Sequence, residues 1–535
     1  MKNIKIIIVL FLGLVTLFAG CSDNFLEEDP KDTLFGNTLF VNRDGMQQGL
    51  NAVYNLVRQE RTQRGSDSHE ASLMWKTGTD VAWGNYSYSS LRAIDIYGAN
   101  LNAADVTMNS IFNWLYDVVN GANTLISRAN SGDIDWQGSD EIEDLENKNL
   151  IIAQARLLRA WAYRHLTNTW GDVPLSLEEI DGDTFRTYWE RTPVDEIRIT
   201  MEADLLFAEE YLPDDYSNPL ILSSAVAQHY LAELYLTMGG LDNNIKAEQK
   251  AEAVINNPNF RLITERYGEN IKEPGVPFMD QFGEKNALPS EGNTETLWTF
   301  LNAADLTGTA EIAMRRTWVN RFYNLTTDDK WAFSQYGGRG LGRAMHTLYV
   351  ENLYEDQDDR YSEYAYSKYY LKEEGGDTVY TKVPTYEKWE GNDRYWPGTK
   401  KWDSYPDLER VDNSGQYNNM PYLRLAETYL LLAEAEFNLG KLDEAAQHIN
   451  AVRVRSHATP IAGTDVTIEY ILDERARELF SEEHRRYTLN RFGLLVSRTK
   501  KYNKFSEIED KNILYPLPQN FIDSNEGPTE QNPGW

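Results

Sequence analysis

Positions 111, 112, 115, 118, 119, 122, 125 and 126 are apolar, a spacing that forms one stripe on an α-helix and no face of a strand. The same periodicity dominates residues 43–256, with interruptions, and returns after residue 420. Residues 150–167 form a second stripe. Thr192-Pro193 predicts the start of a third helix, with Thr192 as N-cap, Pro193 in the first position and the acids Asp195 and Glu196 in the first turn. That helix runs through Leu205 and Ala208 and stops near Leu212-Pro213.

Two segments predict helix-turn-helix units. Residues 225–238 end at Gly239-Gly240, and the next helix carries Ala247, Ala251 and Val254. Residues 425–439 end at Gly440, followed by Leu442, Ala445, Ala446 and Ile449. In both, a small residue (Ala232, Ala433) stands seven before the first glycine. This spacing resembles tetratricopeptide units, in which small residues let helices approach closely, and generic helical hairpins are the alternative. Residues 260–419 are different: rich in Gly, Tyr, Trp and Asp, with weak periodicity. An irregular stretch of that length in a compact protein usually carries function. The expected architecture is mostly α, a tetratricopeptide-like helical scaffold bearing a large irregular insertion. The divisions are 1–20 as a leader, 21–42 as a tether and 43–535 as one domain. Within that domain, 43–259 and 420–492 are scaffold, 260–419 is the insertion and 493–535 is a C-terminal tail.

The N-terminus reads as an address. Lys2 and Lys5 precede an apolar run over 6–18, shorter than the ~20 residues of a membrane span and of the right length for a secretory leader. Leu17-Phe18-Ala19-Gly20-Cys21 resembles a bacterial lipobox, with Phe18 departing from the usual aliphatic residue. Cys21 is the one cysteine of the chain, so no internal disulfide forms. On this reading Cys21 carries diacylglycerol, two or more acyl chains give a stable anchor, and the polar, acidic residues that follow form an extended tether.

Charge excludes some functions. The chain has 52 basic and 83 acidic residues, net -31; without Lys2 and Lys5 the balance is 50 against 83, or -33. Such a surface repels phosphate backbones, which rules against nucleic acid as a partner, and it disfavours polyanionic ligands. The 14 Trp and 32 Tyr outnumber the 19 Phe. A core has no need of that bias, whereas Tyr and Trp, with an apolar face and a polar tip, suit wet binding surfaces.

Short blocks in a fixed order run through nearly the whole chain. They begin with Phe25-Leu26-Glu27 and Pro30 after Cys21. Gln154 to Ala160 leads through to Gly171-Asp172-Val173-Pro174-Leu175, followed by Arg191-Thr192-Pro193, Asp204-Leu205 and Leu212-Pro213. Asp358-Asp359-Arg360, Arg424-Leu425-Ala426-Glu427, Ala433-Glu434-Ala435, Asn450 and Arg453 come next. Glu474-Arg475, Glu478-Leu479, Glu483 and Arg491 precede the closing Pro516-Leu517-Pro518 and Gln531 to Trp535. Taken together these resemble the SusD/RagB family of outer-membrane nutrient-binding lipoproteins. The resemblance implies a mostly helical fold with four tetratricopeptide-like units under an irregular binding lobe. It implies a surface-exposed, lipid-anchored place at the cell outer membrane, and a SusC-like TonB-dependent transporter as partner. It also implies capture of oligo- or polysaccharide, with no catalysis and no cofactor.

A sugar ring offers flat C–H faces and a rim of hydroxyls, met by exposed aromatic faces edged with Asn, Asp, Gln, Arg or Lys. Two regions have this mixture. The first is Trp83-Gly84-Asn85-Tyr86-Ser87-Tyr88, from which Trp83, Asn85, Tyr86 and Tyr88 are expected glycan contacts. The second is the cluster of Trp318, Phe322, Tyr323, Trp331, Phe333 and Tyr336. From it Trp318, Tyr323, Trp331 and Tyr336, with nearby Arg339, are expected contacts, although Trp318, Phe322 and Tyr323 also fit helical spacing and some of them read as core. Trp298 reads as core. Trp389, Tyr395, Trp396 and Trp402 form a weaker third group. Residues 301–345 carry six basic and four acidic side chains, a local excess that fits internal salt bridges better than an acidic ligand. Gly337 to Gly342 lacks the Lys-Ser/Thr of a phosphate loop and reads as a turn. Asp133, Asp135, Gln137, Gly138 and Asp144 match a calcium loop only in part, lacking its bidentate Glu, so no metal is expected. The seven His are scattered, with no His-Glu-x-x-His and no Gly-x-Ser-x-Gly. The competing functions are a surface glycoside hydrolase, which needs two carboxylates at fixed separation, and a non-binding scaffold subunit of the importer.

Overall fold

The computed structural model describes residues 39–62, 71–84, 94–98, 100–132, 134–182, 184–302, 312–321, 330–331, 340–374, 377–382, 396–403 and 416–535, with backbone alone for 330–331, 369–374 and 377–382. The helices expected from periodicity form. α1 spans Arg43–Arg58, and a four-residue α2 spans Leu73–Lys76. α3 (Val106–Asn130) buries Ile111, Phe112, Leu115, Val118, Val119, Ala122 and Leu125, and Asp105 caps it by accepting the N–H groups of Thr107 and Met108. α4 (Glu141–Trp170) is capped by Asp140, with Glu141, Glu143 and Asp144 in its first turn. From Ile151 onward α4 is buried on almost every side, the mark of a helix enclosed by others. Trp114 of α3 meets Trp161 of α4 edge-on at 5.8 Å.

α5 spans Val194–Tyr211, so its start differs by one residue from the expectation. Pro193 is the N-cap and Thr192 lies outside the helix, its N–H bonded to Val173 O. The first-turn N–H of Val194 is taken by Asp172 Oδ1 at 2.8 Å. A cap from 22 residues upstream is a tertiary contact that no local pattern shows. α6 (Ser224–Met238) and α7 (Leu241–Ile255) are joined by Gly239 and Gly240, at φ +68° and +86°, values that a Cβ makes costly. α9 (Leu425–Asn438) and α10 (Leu442–Arg455) repeat the arrangement. Ala232 and Ala433 are fully buried, as close helix contact requires. α11 (Ile468–Leu479), α12 (Arg485–Arg491) and α13 (Leu495–Tyr502) complete the scaffold, and the short α8 (Met314–Trp318) lies within the irregular lobe.

Strands are few among the described residues. β1 (Ala82–Gly84) pairs antiparallel with β4 (Ala344–His346), and β2 (Thr296–Phe300) with β7 (Met420–Arg424). β3 (Lys330–Trp331), β5 (Tyr369–Glu374) and β6 (Asp377–Lys382) form an antiparallel sheet in the order β3-β5-β6. Trp298 is buried on β2 with Phe300 and Tyr422, a core residue as expected. β7 runs straight into α9, which ties the lobe to the scaffold.

The C-terminal tail closes on α4. Asn532 Nδ2 donates to Trp170 O and Tyr515 O, and Arg191 donates to Glu530 O and Asn532 Oδ1. The terminal Asn and the Arg191-Thr192-Pro193 block are thus two sides of one contact.

Candidate functional site

Trp83, the expected stacking residue, is on β1, opposite Met345 of β4. Its side chain is 0% exposed. Its indole N–H donates to His346 O at 3.2 Å, and the ring lies 4.3 Å from Phe505 and 6.3 Å from Trp396. Trp83, Met345 and Trp396 form a closed apolar cluster with Leu348 and Phe505 against it. The expectation that Trp83 presents a face to a sugar is therefore corrected: the side chain is buried, and Met345, His346, Trp396 and Phe505, more than 250 positions away, pack on it, which a local reading cannot see. Trp318 is corrected in the same way. It ends α8 at 2% exposure, edge-on to Phe480 at 5.3 Å, in a cluster with Leu73, Val81 and Phe278. Trp396 and Trp402 of the third group are also buried.

Asn85, Tyr86, Tyr88, Tyr323, Tyr336 and Arg339 lie outside the described residues, as do Trp389 and Tyr395, and Trp331 is described only by its backbone, opposite Lys372 of β5. The stems of both aromatic stretches are described, and they meet. Gly84, which leads into residues 85–93, is paired with Ala344, which follows residues 322–339. Each stem is pinned. The Gly84 N–H donates to Asp95 Oδ2 at 2.7 Å, closing the first stretch, and burial pushes the Asp95 carboxyl up to about 7. The Gly342 N–H donates to Val319 O at 2.8 Å, closing the second. A Cβ at Gly340 would stand 2.0 Å from Val319 O, so this close approach requires glycine. Of the glycine run expected to form a turn, residues 337–339 lie outside the described residues and 340–342 carry this close approach.

A buried charge lattice fixes the lobe to the scaffold. Arg360 donates to both oxygens of Asp358 and to Glu474 and Glu478. Arg424 of β7 reaches Glu295, Glu478 and Glu482, Arg455 reaches Glu295 and Glu478, and Arg453 reaches Glu474. Lys401 donates to Glu478 O, Phe480 O and Glu482. Burial by itself would raise the Glu474 carboxyl; Arg360, Arg477 and Arg453 outweigh it and hold it down at about 2. Asp358-Arg360, Arg424, Arg453, Glu474 and Glu478 of the ordered sequence blocks are thus structural. Glu474 and Glu478 are both held below the usual carboxylate range, against their burial, by the arginines beside them. In residues 301–345, Arg315 and Arg343 are likewise buried.

One group among the described residues has the composition of a metal site: Glu60, His165 and His484, all buried, with ligand atoms within 4.8 Å of one another. Hydrogen bonding argues for another role. Arg164 Nη1 lies 3.1 Å from His484 Nδ1. Guanidinium can only donate, so that nitrogen accepts and the ring proton sits on Nε2, which donates to Glu60 Oε1 at 2.8 Å. A metal would need the Nε2 lone pair. Burial, with the positive charges of Arg164 and Lys76, holds His484 well below the ordinary histidine range. Tyr422 donates to the other Glu60 oxygen and itself accepts from Trp161 Nε1. Glu60 and His484 thus belong to a buried hydrogen-bonded chain with Arg164, Tyr422 and Trp161, while His165 Nδ1 pairs with Tyr487 OH. In the partial calcium loop, Asp135 Oδ1 and Asp144 Oδ1 accept the N–H groups of Gln137 and Gly138, carboxylates employed in a turn; Asp133 lies outside the described residues.

Sequence reasoning missed a braced segment at residues 185–191. Two bonds tie it to the tail: the backbone N–H of Glu526 donates to Thr187 O, and the Trp189 N–H donates to the Asn525 side chain at Oδ1. It exposes Phe185 and Tyr188 and stacks Arg186 on Trp189 at 4.3 Å. The signal was the non-periodic aromatic run Phe185-Arg186-Thr187-Tyr188-Trp189-Glu190.

Two family models match the chain, one described as the SusD family over residues 280–535 and one as "Starch-binding associating with outer membrane" over residues 24–236. Similar proteins include SusD-like protein P2 of Formosa agariphila, 27% identical with all of both chains covered, and SusD-like protein P25 of the same organism, 26% identical over 91% of this chain and 90% of that one. Among solved structures, a laminarin binding SusD-like protein superposes with a TM-score of 0.69 at 20% identity, covering 92% of this chain and 100% of the other. Surface glycan-binding protein A from Bacteroides fluxus gives 0.70 at 18%, covering 92% and 99%. These structures share the fold.

Proposed function

This chain belongs to the SusD/RagB family, and on that premise we propose that it is a non-catalytic glycan-binding lipoprotein of the outer-membrane surface. It captures oligo- or polysaccharide and passes it to a SusC-like TonB-dependent transporter. The observation that carries this reading is the match of two family models to consecutive parts of the chain, one of them described as starch-binding and associating with the outer membrane. The lipobox-like junction at Cys21 supports the anchor. The net charge of -31 favours a neutral glycan.

The aromatic stretches whose stems meet at Gly84 and Ala344 remain the proposed mouth of the main site, with Asn85, Tyr86, Tyr88, Tyr323, Trp331, Tyr336 and Arg339 as contacts. Trp83 and Trp318, being buried, drop out of the contact set. The decisive experiment is affinity electrophoresis of the purified protein through gels containing neutral polysaccharides, with soluble starch and laminarin among them. Retardation by at least one is expected. Migration unchanged in all of them, or hydrolysis of any, would overturn the reading. Gentle detergent extraction is expected to co-purify a TonB-dependent transporter.

A further inference from the structure

We propose that Phe185 and Tyr188, on the segment that the C-terminal tail braces, form a second glycan-contact platform; this inference rests on the reading of the chain as a glycan binder. Phe185 is 70% and Tyr188 51% exposed, and Leu177, 45% exposed, precedes them. Exposed large rings are common on mobile loops, but this segment is held firmly. Asn525 brackets Trp189, accepting its N–H at Oδ1 and donating from Nδ2 to its carbonyl. The Thr187 hydroxyl donates to Glu526. A Cβ at Gly527 would stand 2.2 Å from Trp189 O, so the tail packs directly on the segment backbone. Holding the rings in place lowers the ordering cost of binding, as a docking surface requires.

The edge chemistry selects the ligand class. Tyr188 O–H donates to Glu190 Oε1, which fixes the ring orientation, and Arg186 is shared between the Trp189 face and Glu178 Oε2. Carboxylates and a guanidinium beside aromatic faces are the donors and acceptors that a hydroxyl rim needs. Four acids, Glu178, Glu179, Glu190 and Glu526, stand against three bases, Arg186, Arg191 and Arg128, the last paired with Glu179 at 2.9 Å, so the patch keeps a small acidic excess. That balance repels a sulfated or uronic chain and leaves a neutral glycan as the fitting occupant. A second platform gives a long chain a second point of attachment, which raises apparent affinity for polymer far more than for short oligomers.

The test is the double variant Phe185→Ala/Tyr188→Ala of the full mature protein, measured by affinity electrophoresis in whichever of soluble starch or laminarin retards the wild type, and by titration with the matching short oligosaccharide. Both side chains are exposed, so the melting temperature should stay within about 1 °C of wild type. Affinity for polymer should fall about tenfold or more, from the scale of one lost stacked ring, while oligosaccharide affinity changes less than about twofold. Unchanged polymer affinity in a variant with wild-type melting would overturn the platform and leave the glycan-binding reading intact. So would intact polymer affinity combined with loss of a co-purifying protein, which makes the patch a protein-docking surface. Failure of the wild type to bind either polysaccharide would overturn the underlying reading and the platform with it.

Discussion

Truncation of Trp83 separates a structural role from a binding one. In Trp83→Ala a fully buried indole is removed from between Phe505 and Trp396 and its hydrogen bond to His346 O is lost. Emptying such a site costs roughly 3–5 kcal/mol. Unfolding entropy is about 2.1 cal/mol/K per residue, so for a mature chain of roughly 500 residues it is about 1 kcal/mol/K. If the domain unfolds as one unit, the melting temperature should drop by about 3–5 °C. Trp83→Phe, which keeps most of the packing, should drop by about half as much or less. The assay is differential scanning calorimetry of both variants beside polymer affinity at 20 °C, well below either transition. Intrinsic affinity of the folded fraction should stay within about threefold, since the ring reaches no ligand. A tenfold loss of affinity in Trp83→Ala with melting unchanged within 1 °C would refute the burial argument and return Trp83 to the glycan site.

Further outcomes follow from the same contacts. Arg360→Ala leaves the buried Asp358 without its arginine and takes one of several cationic partners from Glu474 and Glu478, and should cost about 3–5 kcal/mol; chemical denaturation with a shift under 1 kcal/mol would contradict the lattice. Burial holds His346 down to about 3, so its stabilising contribution is whole above the unfolded value near 6.5 and is lost as pH falls from there toward 3. His346→Phe should therefore lose less melting temperature than wild type between pH 7 and pH 5, a difference that would vanish if the imidazole were protonated in the fold. Cys21→Ala should leave the protein unlipidated and absent from washed outer membranes; its retention there would refute the anchor.

Much of the scaffold was legible because its signals are local. The apolar stripe of residues 111–126 and the Gly239-Gly240 stop depend on neighbours within one or two helical turns, and the helices stand where periodicity puts them. Thr192 shows the limit of that: the pattern for an N-cap was present, yet Asp172, held close by tertiary packing, took the capping role. The aromatic residues show the same limit on a larger scale. Trp83 beside Asn85 and Tyr86 has the composition of a wet loop, and Trp298 that of a strand core, but composition cannot tell which faces are covered. The β1–β4 pairing decided it for Trp83, through contacts with Met345, Trp396 and Phe505. Phe185 and Tyr188 are the converse, rings of ordinary local context that the tail braces in the open. The sequence alone determined the helical periods, the acidic charge and the ordered blocks that mark the family. Tertiary structure alone decided which aromatics are buried and which carboxylates are paired with arginine, because burial and ion pairing depend on which elements pack together, from Arg453 and Glu474, 21 positions apart, to Trp83 and Phe505, more than 400 apart.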